Sequence, residues 1–422
     1  MLAEVTAALA SPTSGRAGLL AGTATTITAA PRVWINGRAA YQLLRQSTMI
    51  WLVCACVGTA ILLVAMLGSA AAETKRVLML HSFGRDVKPW SDYARNIRAE
   101  LDQQSPWSLE ISDHSLMTAR FIDEDSEAPA PFVEYLRGLY AKRPPDLIVS
   151  LGAPAVVFVQ RYRQELFATT PMVFTAVEQR RVRYFALTAN DTVVAIAHSF
   201  PAVFENILRV LPDTKTVAVV NGNSPIEKFW LEEIRREARR FVNRITFTWY
   251  NELSFEDILK HAAALPPQSA IFWHLMNVDA AGVVHEDDKA LKRLYAVANA
   301  PIFSYNDAFF GREIVGGPMH SVSEGSRLTA SVAIRILGGE KAGDIKVPAT
   351  GFAKPKFDWR EMQRWGISES RLMPGSEIYF REPTLWEQYR AQFLTVCAVI
   401  LLQAVVISWL LYERRQRRRS EA

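Results

Sequence analysis

The chain of 422 residues has only three cysteines, and none of them lies between Cys56 and Cys397. The long stretch between those two residues therefore has neither a disulfide nor a thiol nucleophile. Half of the chain is hydrophobic, which is enough apolar material for sizeable cores without disulfide staples. This pattern is typical of a protein exported to an oxidising compartment, and we interpret the three cysteines, all in apolar segments, as small apolar side chains.

Motifs of the common catalytic and cofactor sites are also missing. The sequence contains no G-x-S-x-G, no G-x-G-x-x-G and no phosphate-binding P-loop. No two of its seven histidines are four residues apart, and none has a cysteine nearby, so the spacing does not favour a metal site. We therefore expect neither an enzyme nor any catalytic residue, metal ion or cofactor.

The positive charge is confined to the two ends of the chain. Residues 1–48 and residues 413–422 each carry a net charge of +3, whereas the whole chain has a formal charge of +5. The body between them is thus almost neutral. A nucleic-acid-binding protein concentrates basic residues on its folded body, so we expect no nucleic-acid partner.

Two uncharged apolar segments account for this distribution. They run from Met49 to Leu67 and from Phe393 to Leu411. Each has about the ~20 residues that a helix needs to span a membrane. Arginines precede the first segment and follow the second, so the positive-inside rule places both outer ends in the cytoplasm and exports the chain between them. The sequence predicts a protein of the bacterial inner membrane whose main domain lies in the periplasm.

The two apolar segments differ in how firmly they predict an anchor. Ala70 to Ala72 fit a cleavage site before Glu73, so 49–72 is either a signal peptide or a membrane helix, and both interpretations stay open. Residues 1–48 are interpreted as a disordered or cytoplasmic tail. The second segment, 390–412, predicts a transmembrane helix followed by a basic tail, 413–422. Thr384 and Glu387 form a capping box, which predicts one helix from Leu385 to about Arg419.

Between the apolar segments, short apolar runs alternate with stretches of helical periodicity. The runs are continuous, which is typical of parallel strands buried on both faces by helices. Two successive series predict an α/β protein with two doubly wound parallel-sheet lobes and a cleft between them. We place the first lobe at 73–200 and the second at 201–300. Residues 301–389 form a return segment that completes both lobes and leads into the membrane helix.

Several of these segments, in this order, resemble the ABC transporter substrate-binding protein family. They are RVLMLHSF, DLIVSLGAPA, PMVFTAV, TVAVVNGNSP and the long stretch from Ala300 to Val347. The resemblance covers about two-thirds of the chain and implies the type I periplasmic-binding-protein fold. It also implies a small organic ligand, aromatic amino acids being among those that the family binds.

The membrane-anchored form is similar to the sensory half of histidine kinases. That similarity implies a solute sensor that signals across the membrane. The chain ends ten residues past the second apolar segment, and no histidine lies in its cytoplasmic parts, so we expect a separate kinase partner or a missing kinase domain. Signalling relatives also imply a homodimer. The alternative is a tethered substrate receptor that works with the permease of an ABC importer.

Candidate ligand contacts are suggested by the ends of the predicted strands together with the resemblance, because ligands bind beyond the carboxyl ends of parallel strands. Asp307 is the favoured contact for an ammonium or hydroxyl group, the alternative being that it caps a turn. Phe83, Trp273 and Tyr305 are candidates to stack on a planar ligand, the alternative being that they belong to the core. The full set of predicted contacts is Ser82, Phe83, Gly152, Ala153, Thr175, Ala176, Asn223, Ser224, Trp273, His274, Asn306, Asp307 and Gly317.

Overall fold

The first lobe is built on a sheet of five parallel strands. The computed structural model describes residues 74–84, 86–117, 130–381 and 385–420. The strands lie in the order β2–β1–β3–β4–β5. They are β1 (Lys75–His81), β2 (Leu109–Ser115), β3 (Leu147–Leu151), β4 (Met172–Glu178) and β5 (Asp191–Ile196). All but the edge strand β2 are almost wholly buried, as continuous apolar runs predict.

Helices cover both faces of this sheet. They are α1 (Trp90–Gln104), α2 (Ala130–Tyr140), α3 (Ala153–Arg161), the short α4 (Arg163–Leu166) and, from late in the chain, α9 (Val322–Leu337). Helix α1 buries Tyr93, Ile97 and Leu101, whose spacing of four residues places them on one face of the helix. Helix α9 packs along α1 and contacts β4, where Thr329 Oγ1 lies 2.6 Å from Thr175 Oγ1.

The second lobe repeats the arrangement with four parallel strands in the order β7–β6–β8–β9. They are β6 (Thr216–Asn221), β7 (Thr246–Trp249), β8 (Ser269–Leu275) and β9 (Ile302–Ser304). Its helices are α5 (Phe200–Val210), α6 (Pro225–Ala238), α7 (Phe255–Ala263) and α8 (Asp287–Val297). A small sheet adjoins β9 and contains β10 (Gly316–Gly317), β11 (Lys356–Asp358) and β12 (Glu377–Tyr379), with α10 (Trp359–Arg364) after β11.

Three segments of the chain cross between the lobes. The first follows β5, the second precedes α9, and the third follows Thr350, which pairs with Ile196 in a parallel bridge. In the second crossing His320 pairs with Asn306. These crossings lie side by side and form the hinge between the lobes.

Several elements were not predicted, β2 and α2 among them, and one predicted strand was too long. The edge strand β2 carries polar residues (LEISDHS), so it lacks the continuous apolar run by which the other strands were recognised. Helix α2 was also missed. The segment from Thr192 to Phe200, TVVAIAHSF, predicts a single strand, but β5 ends at Ile196. Its last predicted residues form the first crossing and the start of α5, where Pro201 suits the first helical turn.

The chain ends in one long helix, α11 (Leu385–Ser420), which confirms the predicted continuous helix. Its stretch from Tyr389 to Arg417 has a mean hydropathy of 2.5, is not buried by the rest of the protein, and is long enough to cross a membrane. The capping box of Thr384 and Glu387 and the first apolar segment lie outside the described residues and side chains.

Candidate functional site

A cavity lies between the lobes, at the carboxyl ends of their strands. Its wall in the first lobe contains Phe83, Trp90, Tyr93, Ala153, Ala176 and Glu178, and its wall in the second contains Trp230, Leu275, Tyr305 and Asn306. The space between atoms, open mouth included, is about 520 Å³, but only about 40 Å³ can hold the centre of a water molecule. One water needs ~10–15 Å³ of such volume, so the closed cleft has room for about three waters.

A bulge in β4 shapes the first-lobe wall. The pairing of β4 with β5 shifts between Thr175 and Val177, and the intervening Ala176 has a positive φ of 50°. The Ala176 carbonyl accepts a hydrogen bond of 3.3 Å from Trp90 Nε1. Trp90 in turn packs on Phe83, with ring centroids 4.3 Å apart. The bulge therefore holds an aromatic pair at the cleft, as bulges near binding sites commonly do.

Aromatic rings from the second lobe and the hinge complete the cleft. His198, in the first crossing, meets Trp230 and Tyr305 edge-on at 4.9 and 5.0 Å between ring centroids. Tyr305 is stacked on His274 at 4.7 Å. Trp230 belongs to α6 and Tyr305 follows β9, so one aromatic cluster joins the hinge to the second lobe.

Two hinge histidines are hydrogen-bonded to each other. His198 Nδ1 lies 2.7 Å from His320 Nε2, so one nitrogen donates and the other accepts. Burial lowers the pKa of His198 well below 6.5, and the neighbouring His320 lowers it further. Burial lowers the pKa of His320 to about 4 and that of His274 to about 3. All three are therefore neutral at pH 7.

Arg180 joins the two lobes beside the cleft. It follows β4 and reaches α6, where Nη1 donates to Glu233 at 2.8 Å and to Glu237 at 2.7 Å. Its Nε donates to Glu178 of the first lobe at 3.0 Å. Burial raises the pKa of Glu178, and Arg180 opposes that increase. The next residue, Arg181, places its guanidinium carbon 4.0 Å from the centre of the Phe229 ring, also on α6.

Four of the predicted contacts line the cavity, and three more lie directly beneath its wall. Phe83, Ala153, Ala176 and Asn306 belong to the wall, as does the stacking candidate Tyr305. The buried residues are Ser82, Gly152 and Thr175. A Cβ atom on Gly152 would lie 2.7 Å from Ser82 Oγ and 2.9 Å from Trp90 Nε1, so the glycine allows Trp90 to approach.

The glycine at Gly152-Ala153 predicts that backbone N–H groups can approach an anionic ligand near a helix start. Backbone hydrogen bonds restrict such a site at the start of α3. The Gly152 N–H donates to the Thr175 carbonyl at 3.0 Å, and the Ala155 N–H donates to Ser82 Oγ at 3.0 Å. Pro154 has no N–H. Of the backbone N–H groups described at this turn, the one of Ala153 therefore remains for a ligand.

The other predicted contacts are not part of the described cavity wall. Asp307 accepts hydrogen bonds from Lys356 Nζ at 2.9 Å and from the Val322 N–H at 2.8 Å, so its carboxylate caps α9. Trp273 is fully buried in the second-lobe core beside Phe309. The remaining residues are His274, stacked behind Tyr305, Gly317, which contacts Asn206, and Asn223 and Ser224, in the turn before α6.

Sequence reasoning missed Trp90, Tyr93, Trp230 and the Arg180 contacts. The first three belong to helices, whereas the candidates were chosen at the ends of predicted strands, so these residues were not selected. The charged run from Glu178 to Arg181, directly after an apolar strand, was the available signal for the inter-lobe contacts.

Comparison with solved structures identifies the architecture, whereas no family model and no curated protein matches the chain. A conserved domain protein from Vibrio cholerae O1 biovar El Tor covers 72% of this chain and 100% of its own, with 17% identity and a TM-score of 0.52. An ABC domain from Streptococcus pneumoniae, solved in complex with L-Trp, covers 72% of this chain and 100% of its own, with 16% identity and a TM-score of 0.52. The chain has the type I periplasmic-binding-protein fold. The predicted α/β fold class is thus confirmed.

A third neighbour provides a comparison for the state of the cleft. It is the ligand-free, open form of a substrate-binding protein from Clostridium difficile, with 12% identity, coverage of 73% of this chain and 100% of its own, and a TM-score of 0.50. In the present protein Arg180 bonds directly to both lobes. The type I periplasmic-binding fold is therefore seen here with its lobes in contact.

Proposed function

We propose that the protein binds a small organic solute between its lobes, outside the cytoplasm, while α11 anchors it to the membrane. The hydroxyl of Tyr93 is the observation that carries this proposal. It is fully buried at the cavity wall and has no hydrogen-bond partner among the described residues. A buried hydroxyl left without a partner costs about 1–3 kcal/mol, which a ligand acceptor would recover.

Ligand entry requires the lobes to separate. Space for about three waters does not admit an organic molecule, and the contacts of Arg180 hold the two lobes together. The three adjacent crossings provide the hinge for such a motion. Opening about a hinge and closing around a ligand is a common mode of domain motion, and here closure would bring the rings of Trp90 and Trp230 against a bound solute.

A thermal-shift screen of the full chain in detergent tests the binding function. A solute at 100 times its dissociation constant should add ~2.7 kcal/mol to the free energy of unfolding and raise the melting temperature. Trp230→Ala should abolish the shift at that concentration, because Trp230 forms part of the cavity wall. Trp249→Ala, on β7 away from the cavity, should retain it. A hit that shifts both variants equally would place the binding site elsewhere.

We further propose that solute binding is signalled through α11 to a histidine kinase, either a separate partner or a further domain. The support is the continuity of the helix from Leu385 to Ser420, which at 1.5 Å per residue is about 54 Å long. A continuous helix transmits a shift or rotation along its axis. The tethered receptor of an ABC importer is the alternative, because an importer receptor needs the anchor but no rigid connection.

Two glycines inserted after Gln392 should uncouple the lobes from the cytoplasmic end of α11. Glycine is about 1 kcal/mol worse than alanine in a helix interior, so the insertion weakens the helix and rotates its cytoplasmic half. The measurement is the electron-spin-resonance spectrum of a nitroxide at Arg415→Cys, in membrane vesicles and a background without native cysteines. We expect the solute found in the screen to change the spectrum of the protein without the insertion and to leave the spectrum of the protein with the insertion unchanged. Both proteins should bind the solute with equal affinity. A two-alanine insertion keeps the helix intact, so it distinguishes the effect of rotation from the effect of flexibility. If both insertion variants respond to the solute as the parent does, the alternative of an ABC importer receptor is favoured.

A further inference from the structure

The acidic groups around the cleft are already neutralised by the protein. Glu178 is the carboxylate on the described cavity wall. It accepts hydrogen bonds from the Arg180 N–H at 2.7 Å, from Arg180 Nε at 3.0 Å and from the His198 N–H at 3.3 Å. Asp307 follows the wall residue Asn306, but its carboxylate is paired with Lys356. An ammonium group entering the cleft would have to compete with Arg180 or Lys356 for these carboxylates.

Two guanidinium groups occupy aromatic faces on the second-lobe side. Arg181 belongs to the cavity wall and lies over Phe229. The guanidinium carbon of Arg180 lies 5.5 Å from the centre of the Trp230 ring. A cationic ligand would use such faces in a cation–π interaction, but here it would meet like charge. An anionic group is favoured instead, because the planar guanidinium fork matches a carboxylate.

The rest of the wall fits a flat ring with a hydrogen-bonding group. Phe83 and Trp90 contribute rings from the first lobe, and Trp230 and Tyr305 contribute rings from the second. Burial raises the pKa of Tyr93, so its hydroxyl keeps its proton and can donate to a ligand oxygen.

We infer that the ligand is a planar aromatic carboxylic acid without an ammonium group, with its ring between the aromatic side chains of the two lobes and its carboxylate at Arg181. This inference rests on the proposed binding function of the cleft. It separates the protein from the pneumococcal neighbour, which was solved with the zwitterion L-Trp.

Four phenols that share the 4-hydroxyphenylethyl skeleton and differ in their carboxylate and ammonium groups test the ligand class. They are 3-(4-hydroxyphenyl)propanoate (anion), tyrosine (zwitterion), tyramine (cation) and 4-ethylphenol (neutral), titrated calorimetrically into the full chain in detergent. We expect the anion to bind at least tenfold more tightly than tyrosine, and tyramine to bind most weakly. Arg181→Gln should weaken the anion at least tenfold and leave 4-ethylphenol unchanged. Arg181→Lys keeps the positive charge but loses the planar guanidinium fork, so its affinity for the anion should lie between those of the wild type and Arg181→Gln. Arg183→Gln, in the same loop but off the described wall, should bind as the wild type does.

The outcomes separate this inference from the proposed function. Tightest binding of tyrosine or tyramine would overturn the ligand class and retain the cleft as a binding site. An anion that binds Arg181→Gln as tightly as wild type would overturn the role of Arg181. If none of the four binds, and the screen yields a non-aromatic solute whose shift is lost in Trp230→Ala, the aromatic class is wrong and the binding function stands.

Discussion

Replacement of Arg180 by glutamine is expected to open the two lobes. Arg180 is the donor to Glu178 in one lobe and to Glu233 and Glu237 in the other, so its loss removes these inter-lobe bonds and leaves three carboxylates near one another, while the bond from Lys88 Nζ to the Ala308 carbonyl remains. Truncating one partner of a buried, hydrogen-bonded charge pair typically costs about 2–5 kcal/mol. Because Arg180 is partly exposed, we expect a cost at the lower end of this range, about 2 kcal/mol. That cost still changes the ratio of closed to open protein more than tenfold.

The distance between the lobes measures this effect directly. Spin labels at Arg95→Cys on α1 and Lys260→Cys on α7, two exposed positions on different lobes, report the separation by double electron–electron resonance. We expect a longer and broader distance distribution in Arg180→Gln than in the parent. Arg235→Gln is the matched control, since Arg235 pairs with Glu232 on its own helix. An unchanged distribution in Arg180→Gln would mean that other inter-lobe contacts, such as the bond from Lys88 Nζ to the Ala308 carbonyl, hold the cleft closed without Arg180.

The alternation of apolar runs and helices predicted the fold because burial on both faces imposes one pattern on every central strand. It failed at β2, whose side chains are partly exposed along almost the whole strand, so that polar residues are tolerated there. The same reasoning placed four predicted residues on the cavity wall, because the residue after a parallel strand lies at the carboxyl edge.

The other site predictions depended on features that sequence reasoning does not reveal. The pairing of β6 with β8 shifts after Val220, so that Trp273 pairs with Val220 and Leu275 pairs with Asn221. Trp273 then packs in the second-lobe core, while Leu275 reaches the cavity. A bulge depends on contacts between strands far apart in sequence, so an apolar run does not reveal it. Asp307 was favoured as a ligand contact, but its partner Lys356 is 49 residues away.

Acid is expected to destabilise the hinge through the histidine pair. His198 and His320 are buried and neutral, and their pKa values in the folded protein lie below the 6.5 of a free histidine. Below pH 6.5 the unfolded chain therefore binds protons that the folded chain does not, so stability falls as the pH decreases toward about 4. For His320 the difference between 6.5 and about 4 corresponds to about 3 kcal/mol. Arg180 and His274 also disfavour a charge on His198.

Melting temperatures between pH 7.5 and 4.5 test this expectation. The decrease should be smaller in His320→Gln than in the wild type by about 6–12 °C, if 1 kcal/mol moves the melting temperature by about 2–4 °C. His261→Gln, at an exposed position on α7, should keep the wild-type decrease. Glu227 has the opposite effect, because burial raises its pKa to about 7 and its contribution to the stability of the fold is lost as the pH rises. All three proteins contain Glu227, so it does not affect the comparison between them. Equal decreases in wild type and His320→Gln would contradict a role for the pair. Because His198 touches Trp230 and Tyr305 in the cleft, a proton on this pair would also place a positive charge beside any bound solute.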